Sequence, residues 1–201
     1  MGTNESELKQ IVQDLGLGSL FLGTFDKTFP GFIEKHKPCC AIVNTGLRST
    51  GGVHWIAMAW EPKSYFFYLF DPFGFDDKQL LRFYNFRYQH MLKASAITST
   101  PTRCVTLIRN YEAIQGPYSG ACGLFCCLFL RAFLKYPFKP MNNPILDPLS
   151  GVAINGLFKP TNLSIFVKNQ KYLNAYLEKH SRYFRRHKKE IEVRTAVNVL
   201  L

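Results

Sequence analysis

Cys122 stands where a polar, glycine-rich loop, Gln115-Gly-Pro-Tyr-Ser-Gly-Ala, meets an almost unbroken apolar run, Cys122-Gly-Leu-Phe-Cys-Cys-Leu-Phe-Leu-Arg-Ala-Phe-Leu. The run suits about three turns of buried helix, and a thiol at its start lies where the helix dipole and unpaired N–H groups favour the thiolate. A thiol nucleophile also needs a base, usually an imidazole oriented by a third polar group. Acyl transfer further needs donors for the developing oxyanion, such as an amide side chain and a backbone N–H. The chain offers His54, Asp71 and Gln115 ahead of Cys122. Each also has a plainer role open to it: a core thiol, a structural histidine beside a tryptophan, a turn aspartate before Pro72, a loop glutamine. Cys126 and Cys127, deeper in the run, read as core.

The elements that must position these groups are legible in outline. Val53 to Trp60 and Tyr65 to Asp71 read as two strands rich in aromatic and aliphatic residues, joined by Glu61-Pro-Lys-Ser. If Trp60 and Tyr65 close that loop, His54 falls directly opposite Asp71, with Cβ atoms about 4.5–5.5 Å apart. A slip of one residue would separate them onto opposite faces. Both faces of the hairpin are otherwise apolar, so it is expected to be central and covered.

Around it, residues 4–15 form a first helix, with Asn4 and Glu7 as a capping box and Leu8, Ile11, Val12 and Leu15 on one stripe. Residues 20–38 read as irregular loop with packed Phe side chains, and Cys40 to Asn44 as a short buried strand. Asp76-Asp77 cap one helix to about Leu92, with Leu81, Tyr84, Tyr88 and Met91 along a stripe. Cys104 to Ile108 reads as a strand. Residues 137–163 read as an extended surface segment, and Ser164 caps a helix to about His180, restarted at Ser181. The expectation is an α+β fold, a single domain over 1–201, with a central mixed β-sheet flanked by helices.

At 201 residues and 47% hydrophobic, the chain can bury a core without disulfides. No C-x-x-C pair occurs among the six cysteines, which excludes zinc-ribbon and thioredoxin patterns on spacing. The first residues lack the basic end and apolar core of a secretory signal, so a soluble, intracellular protein with reduced thiols and no membrane association is expected. Twenty-five Lys and Arg against fourteen Asp and Glu give a net charge of +11, which favours a polyanionic partner such as nucleic acid. The cluster Lys179, Arg182, Arg185, Arg186, Lys188 and Lys189, interleaved with Tyr183 and Phe184, is the candidate surface. A solvated helix face with its rings turned inward is the alternative.

The stretches Gly-Gly-Val-His54-Trp, Leu-Phe-Asp71-Pro-Phe-Gly-Phe and Gln115-Gly-Pro-x-Ser-x-x-Cys122-Gly-Leu-Phe-Cys-Cys closely resemble the adenovirus proteases. So do Phe-Leu-Gly-Thr-Phe-Asp-Lys-Thr-Phe-Pro-Gly-Phe, Cys40-Ala-Ile-Val-Asn-Thr and Arg-Cys104-Val-Thr-Leu, and the likeness runs to about residue 188. More loosely, His-Trp, Asp, Gln and Cys-Gly in that order are similar to the papain-like proteases that process ubiquitin-like proteins.

The resemblance implies a cysteine endopeptidase in which Cys122 attacks, His54 is the base, Asp71 orients it and Gln115 helps form the oxyanion hole. Asp71 stands where better-known members carry Glu; it is one methylene shorter but makes the same hydrogen bond. The resemblance also implies cleavage of viral precursor proteins at glycine-containing sites, in the host nucleus and the virion interior. It implies activation by a short peptide from the precursor of capsid protein VI, joined by disulfide to Cys104, and by viral double-stranded DNA bound without sequence preference. No metal or small-molecule cofactor is expected, and the protein is expected to act as a monomer. The family's late C-terminal cysteine has no match in the ending Val-Asn-Val-Leu-Leu. A deconjugating protease for ubiquitin-like proteins and a non-enzymatic DNA-binding protein are the alternatives.

Overall fold

The computed structural model describes residues 2–32, 35–94, 97 and 99–197. The stretch from 198 onward, where the late cysteine has no counterpart, lies outside the described residues. No described helix is long and apolar enough to cross a membrane.

The architecture is α+β. Helix α1 spans Glu5–Asp14, and strands β1 (Phe21–Phe25), β2 (Cys39–Asn44), β3 (Trp55–Glu61) and β4 (Phe66–Phe70) follow. Then come α2 (Asp77–Tyr84), α3 (Tyr88–Ala94), β5 (Thr106–Arg109), β6 (Glu112–Ala113), α4 (Cys122–Lys135), β7 (Val152–Ala153), α5 (Leu163–His180) and α6 (Arg182–Thr195). A five-stranded mixed sheet runs β1-β2-β3-β4-β5, with its inner three strands antiparallel and each outer strand parallel to its neighbour. Strands β6 and β7 form a separate antiparallel pair.

Alternation along the strands explains why the sheet is covered on both faces. Cys40, Ile42, Ala57, Ala59, Tyr68 and Phe70 pack with α1, α4, α5 and α6. Their neighbours Ala41, Val43, Ile56, Met58, Phe67 and Leu69 pack on the opposite side with Phe29, Phe32 and residues of α2 and α3. The hairpin is central and covered, as its sequence implied.

Helix α4 has no β-branched residue in Cys122–Lys135, is apolar on nearly every side, and buries Leu124 through Leu130 without a break. Gly123 is its one weak former. A Cβ at that position would collide with the Thr3 hydroxyl and lie 2.8 Å from Leu8. The glycine therefore permits close approach of α1 to the start of α4.

Four expectations change. Residues 20–38 are not all loop: Phe21–Phe25 pair with β2, with a register irregularity between Phe21 and Gly23, whose φ is +135°. The bulge breaks the alternation that marks a strand, and only the partner strand reveals it. The single helix from Asp76 is two helices, because Asn85 ends α2 in the left-handed region at φ 50°. Leu80, rather than Leu81, is the fully buried leucine there. Ser164 does not cap α5, which begins at Leu163 after a 3₁₀ turn over Pro160–Asn162 and has no side-chain cap.

The fourth change is the hairpin register. Glu61 pairs with Phe66 and Ala57 with Phe70, so the loop is Pro62–Tyr65 rather than Glu61–Ser64. The Glu61 carboxylate accepts the Lys63 N–H at 2.9 Å, and Tyr65 turns the chain at φ 55°. A left-handed non-glycine residue costs about 1–2 kcal/mol. Burial of both faces of the strands outweighs that cost.

Candidate active site

The changed register moves the pairing by two residues, and side chains alternate with period two. Continuing the ladder would put Ile56, not His54, across from Asp71. His54 instead precedes β3, Asp71 follows β4, and they meet diagonally on one face. Their contact is nonetheless direct: His54 Nε2 lies 2.7 Å from Asp71 Oδ1, both side chains 2% exposed.

Backbone and side-chain bonds hold each member. The Thr45 N–H donates to the His54 carbonyl at 2.8 Å. Asn44 Oδ1 accepts the N–H groups of Gly46 and Val53, ordering the loop that leads into His54. The imidazole stacks against Phe73, with centroids 4.8 Å apart, and against Tyr84, at 5.2 Å. These two stacked rings limit tilting of the imidazole out of its plane.

Asp71 Oδ1 also accepts the Phe73 N–H at 2.9 Å. Asn110 then acts as one more rung of the β4–β5 ladder. Its Oδ1 accepts the Asp71 N–H at 2.9 Å and its Nδ2 donates to the Asp71 carbonyl at 2.6 Å. Asp71 is thereby fixed at main chain and side chain alike.

Cys122 is the first residue of α4 and is 7% exposed. The Trp55 N–H donates to its Sγ at 3.5 Å, and Ala121 provides no side-chain cap. First-turn N–H groups of a helix have no intrahelical acceptor, so those of α4 are left for a group bound beside the sulfur. Burial alone would lower the His54 pKa, but the Asp71 charge and hydrogen bond, joined by Cys122, raise it from the usual 6.5 to about 10. The imidazolium is the favoured form at neutral pH, and its positive charge faces the thiol. Because Nε2 is engaged by Asp71, Nδ1 is the nitrogen left for proton exchange.

Gln115 is buried, and its Nε2 donates to the Ser119 carbonyl at 2.5 Å. It lines, with His54 and Cys122, a cleft of about 570 Å³ that also includes Gly51, Gly52, Trp55, Phe73 and Tyr84. Three of the four candidates thus line one cleft, and Asp71 lies behind His54, bonded to its Nε2.

The remaining sequence candidates lie elsewhere. Cys126 and Cys127 are fully buried in α4, where burial pushes both thiols up. Cys104 is exposed, ahead of the edge strand β5, and unpaired. Lys179, Arg182, Arg185, Arg186 and Lys189 are exposed on α5 and α6. Lys188 bridges Glu178 at 2.8 Å and Glu192 at 3.9 Å, and Arg185 donates to the carbonyls of Glu178 and Lys179. Phe184 is wholly buried, and Tyr183 is half-buried against His187. Among the described residues, no group of three His, Cys, Asp or Glu side chains is placed to hold a metal ion.

Asn44, Phe73, Tyr84 and Asn110 were not singled out for the site from the sequence. A lone Asn at or just past a strand end, as Asn44 and Asn110 are, carries no periodic signal, and only Phe73, in Asp-Pro-Phe, lies next to a candidate.

The family model for the adenovirus endoprotease matches residues 21–199. The chain belongs to the adenovirus endoprotease family. It is 54% identical to the protease of Bovine adenovirus B serotype 3 over 202 aligned residues, covering 100% of this chain and 99% of that one. Identity to the protease of Bovine adenovirus C serotype 10 is 55%, over 97% of this chain and 99% of the relative. With the protease of Human adenovirus D serotype 9 it is 50%, over 97% and 94%. The protein is therefore a viral protease of the cysteine peptidase class, and the non-enzymatic alternative falls away.

Proposed function

We propose that Cys122, His54, Asp71 and Gln115 are the catalytic set of this endopeptidase, within a single domain over 1–201. The observation that carries the reading is the buried His54–Asp71 pair at 2.7 Å, with His54 lining the same cleft as a thiol at a helix start. The Cys122 sulfur, paired as thiolate with the His54 imidazolium, attacks the scissile carbonyl carbon, and the C=O electron pair moves onto oxygen. The Gln115 Nε2–H and the first-turn N–H groups of α4 receive that oxyanion. As it collapses, His54 passes its proton to the departing amine, leaving a thioester on Cys122. Water, deprotonated by His54, then attacks the thioester; the acid product leaves and the thiolate–imidazolium pair returns.

The proposed substrates are viral precursor proteins cut at glycine-containing sites, in the host nucleus and virion. An activating peptide from the precursor of capsid protein VI would reach the exposed Cys104 beside β5. Lys179, Arg182, Arg185, Arg186, Lys188 and Lys189 would meet duplex DNA through phosphates alone, and a net charge of +11 supports that partner. The working unit is a monomer.

The test is cleavage of a glycine-containing precursor peptide, with and without activating peptide and DNA, by wild type and Cys122→Ala. Cys122→Ala is expected to lose cleavage and keep its thermal transition within a few degrees. Cleavage that persists in this variant would refute the assignment. Preference for a ubiquitin-like conjugate over the precursor peptide would refute the substrate class.

A further inference from the structure

A buried hydrogen-bonded chain reaches the candidate cleft from the middle of α5 and the end of α6. It begins at Gln115, whose Nε2 donates to the Ser119 carbonyl, while the Ser119 N–H donates to the Gly116 carbonyl at 3.1 Å. Together these bonds close the loop 115–119 on itself. A carbonyl acceptor selects the NH₂ end of the amide, so the contact decides which end of Gln115 is nitrogen. That nitrogen carries two hydrogens, and Ser119 takes one.

Ser119 is held in turn. Its Oγ lies 2.9 Å from Gln170 Oε1 and 2.9 Å from the Thr195 carbonyl, and it accepts the Ala121 N–H at 3.2 Å. Gln170 Nε2 donates to the same Thr195 carbonyl at 2.6 Å. The loop before Cys122 is thus tied to the middle of α5 and to the end of α6. Ser119, Gln170 and Thr195 are all buried. Buried polar groups add little net stability over an apolar filling, but a hydrogen-bonded network restricts geometry; Gln115 Oε1 is the buried atom of this chain of contacts that has no partner.

We propose that Ser119, braced by Gln170 and the Thr195 carbonyl, is a positioning residue that presents the Gln115 amide to the oxyanion. The inference rests on the reading of Gln115 as an oxyanion donor. Such donors act because they are aimed before charge develops. Ser119 does this through its carbonyl on Gln115, while the bonds of its Oγ to Gln170, the Thr195 carbonyl and the Ala121 N–H hold Ser119 itself in place.

The test compares two reactions of Cys122 in the full chain. Peptide cleavage passes through an oxyanion. Alkylation by iodoacetamide displaces iodide at carbon and forms none, so it reports only the thiol and His54. Removing an oxyanion donor outright costs about 10²–10³ in kcat, so Gln115→Ala is expected in that range. Ser119→Ala and Gln170→Met are expected to lower kcat by about ten- to a hundredfold, with KM within about twofold. Their alkylation rate and its pH profile should match wild type. Ser119→Thr, which keeps the hydroxyl, should recover most of the loss. Ser119→Ala added to Gln115→Ala should cost nothing further, because both act through one amide.

If kcat persists in Ser119→Ala and Gln170→Met but falls in Gln115→Ala, the positioning role is overturned alone. If kcat persists in Gln115→Ala, the oxyanion reading beneath it is overturned. If cleavage and alkylation fall together, the network supports the fold and the inference is again overturned.

Discussion

Replacing Asp71 by Asn removes one charge from a contact that is 2% exposed on both sides. At an effective dielectric of 20, unit charges about 4 Å apart interact by about 4 kcal/mol, equivalent to roughly 3 pKa units. Burial already lowers the His54 pKa, and in the native site the Asp71 charge more than offsets that. Without it, burial dominates and the His54 pKa should fall to or below the usual 6.5. The imidazolium opposite Cys122 then disappears at neutral pH. Cleavage at pH 7 should drop by at least about a hundredfold; the analogous change in serine proteases costs about 10⁴. The alkylation profile of Cys122 should also move to higher pH, since the thiol loses its positive neighbour.

Stability follows with a definite sign. A folded pKa raised above the unfolded value stabilises fully below about 6.5, and the contribution is lost as pH rises through about 10. The stability gap between wild type and Asp71→Asn should therefore be widest in mild acid and narrow toward pH 10. Urea unfolding at several pH values and iodoacetamide kinetics measure both effects. Cleavage within threefold of wild type, with an unmoved alkylation profile, would refute the ion-pair reasoning.

Other outcomes follow from particular contacts. Asn110→Ala frees both main-chain groups of Asp71, and should cost about 1–2 kcal/mol of stability and lower kcat about tenfold with little change in KM. Steady-state kinetics with denaturant unfolding checks both. Gly123→Ala improves helix propensity by about 1 kcal/mol, yet its methyl meets Thr3 and Leu8; a net loss of about 1–3 kcal/mol is expected, and calorimetry decides the sign. Changing Lys179, Arg186 and Lys189 together to Ala should weaken DNA binding equally across sequences and reduce the log–log salt slope by about 3. Peptide cleavage without DNA should be untouched.

The parts of the fold that the sequence announced are those carried by short windows. The capping box of Asn4 and Glu7 forms, with Glu7 N–H on Asn4 Oδ1 at 3.0 Å and Asn4 N–H on Glu7 Oε2 at 2.9 Å. The apolar run after Cys122 could only be satisfied as a buried helix. Two dense apolar strands with a short polar loop announced a covered hairpin. Where local signals competed, the reading erred. The stripe from Leu81 to Met91 hid the stop at Asn85, and the bulge at Gly23 hid β1. The loop at Glu61 allowed two registers of the same parity, differing in which turn closes them.

That parity explains why His54 and Asp71 meet although their expected opposition does not hold. Alternation is set by residue types, so a shift of two leaves each side chain on its face. Sequence alone therefore named the candidates, His54, Asp71, Gln115 and Cys122, and outlined the local elements that carry them. Tertiary structure decided the rest: the diagonal contact of His54 with Asp71, the Asn110 rung, and the Ser119–Gln170–Thr195 brace. Those contacts join residues 17 to 76 positions apart. No short window records such pairings, because they arise only when packed sheet and helices bring distant polar groups into places where water cannot satisfy them.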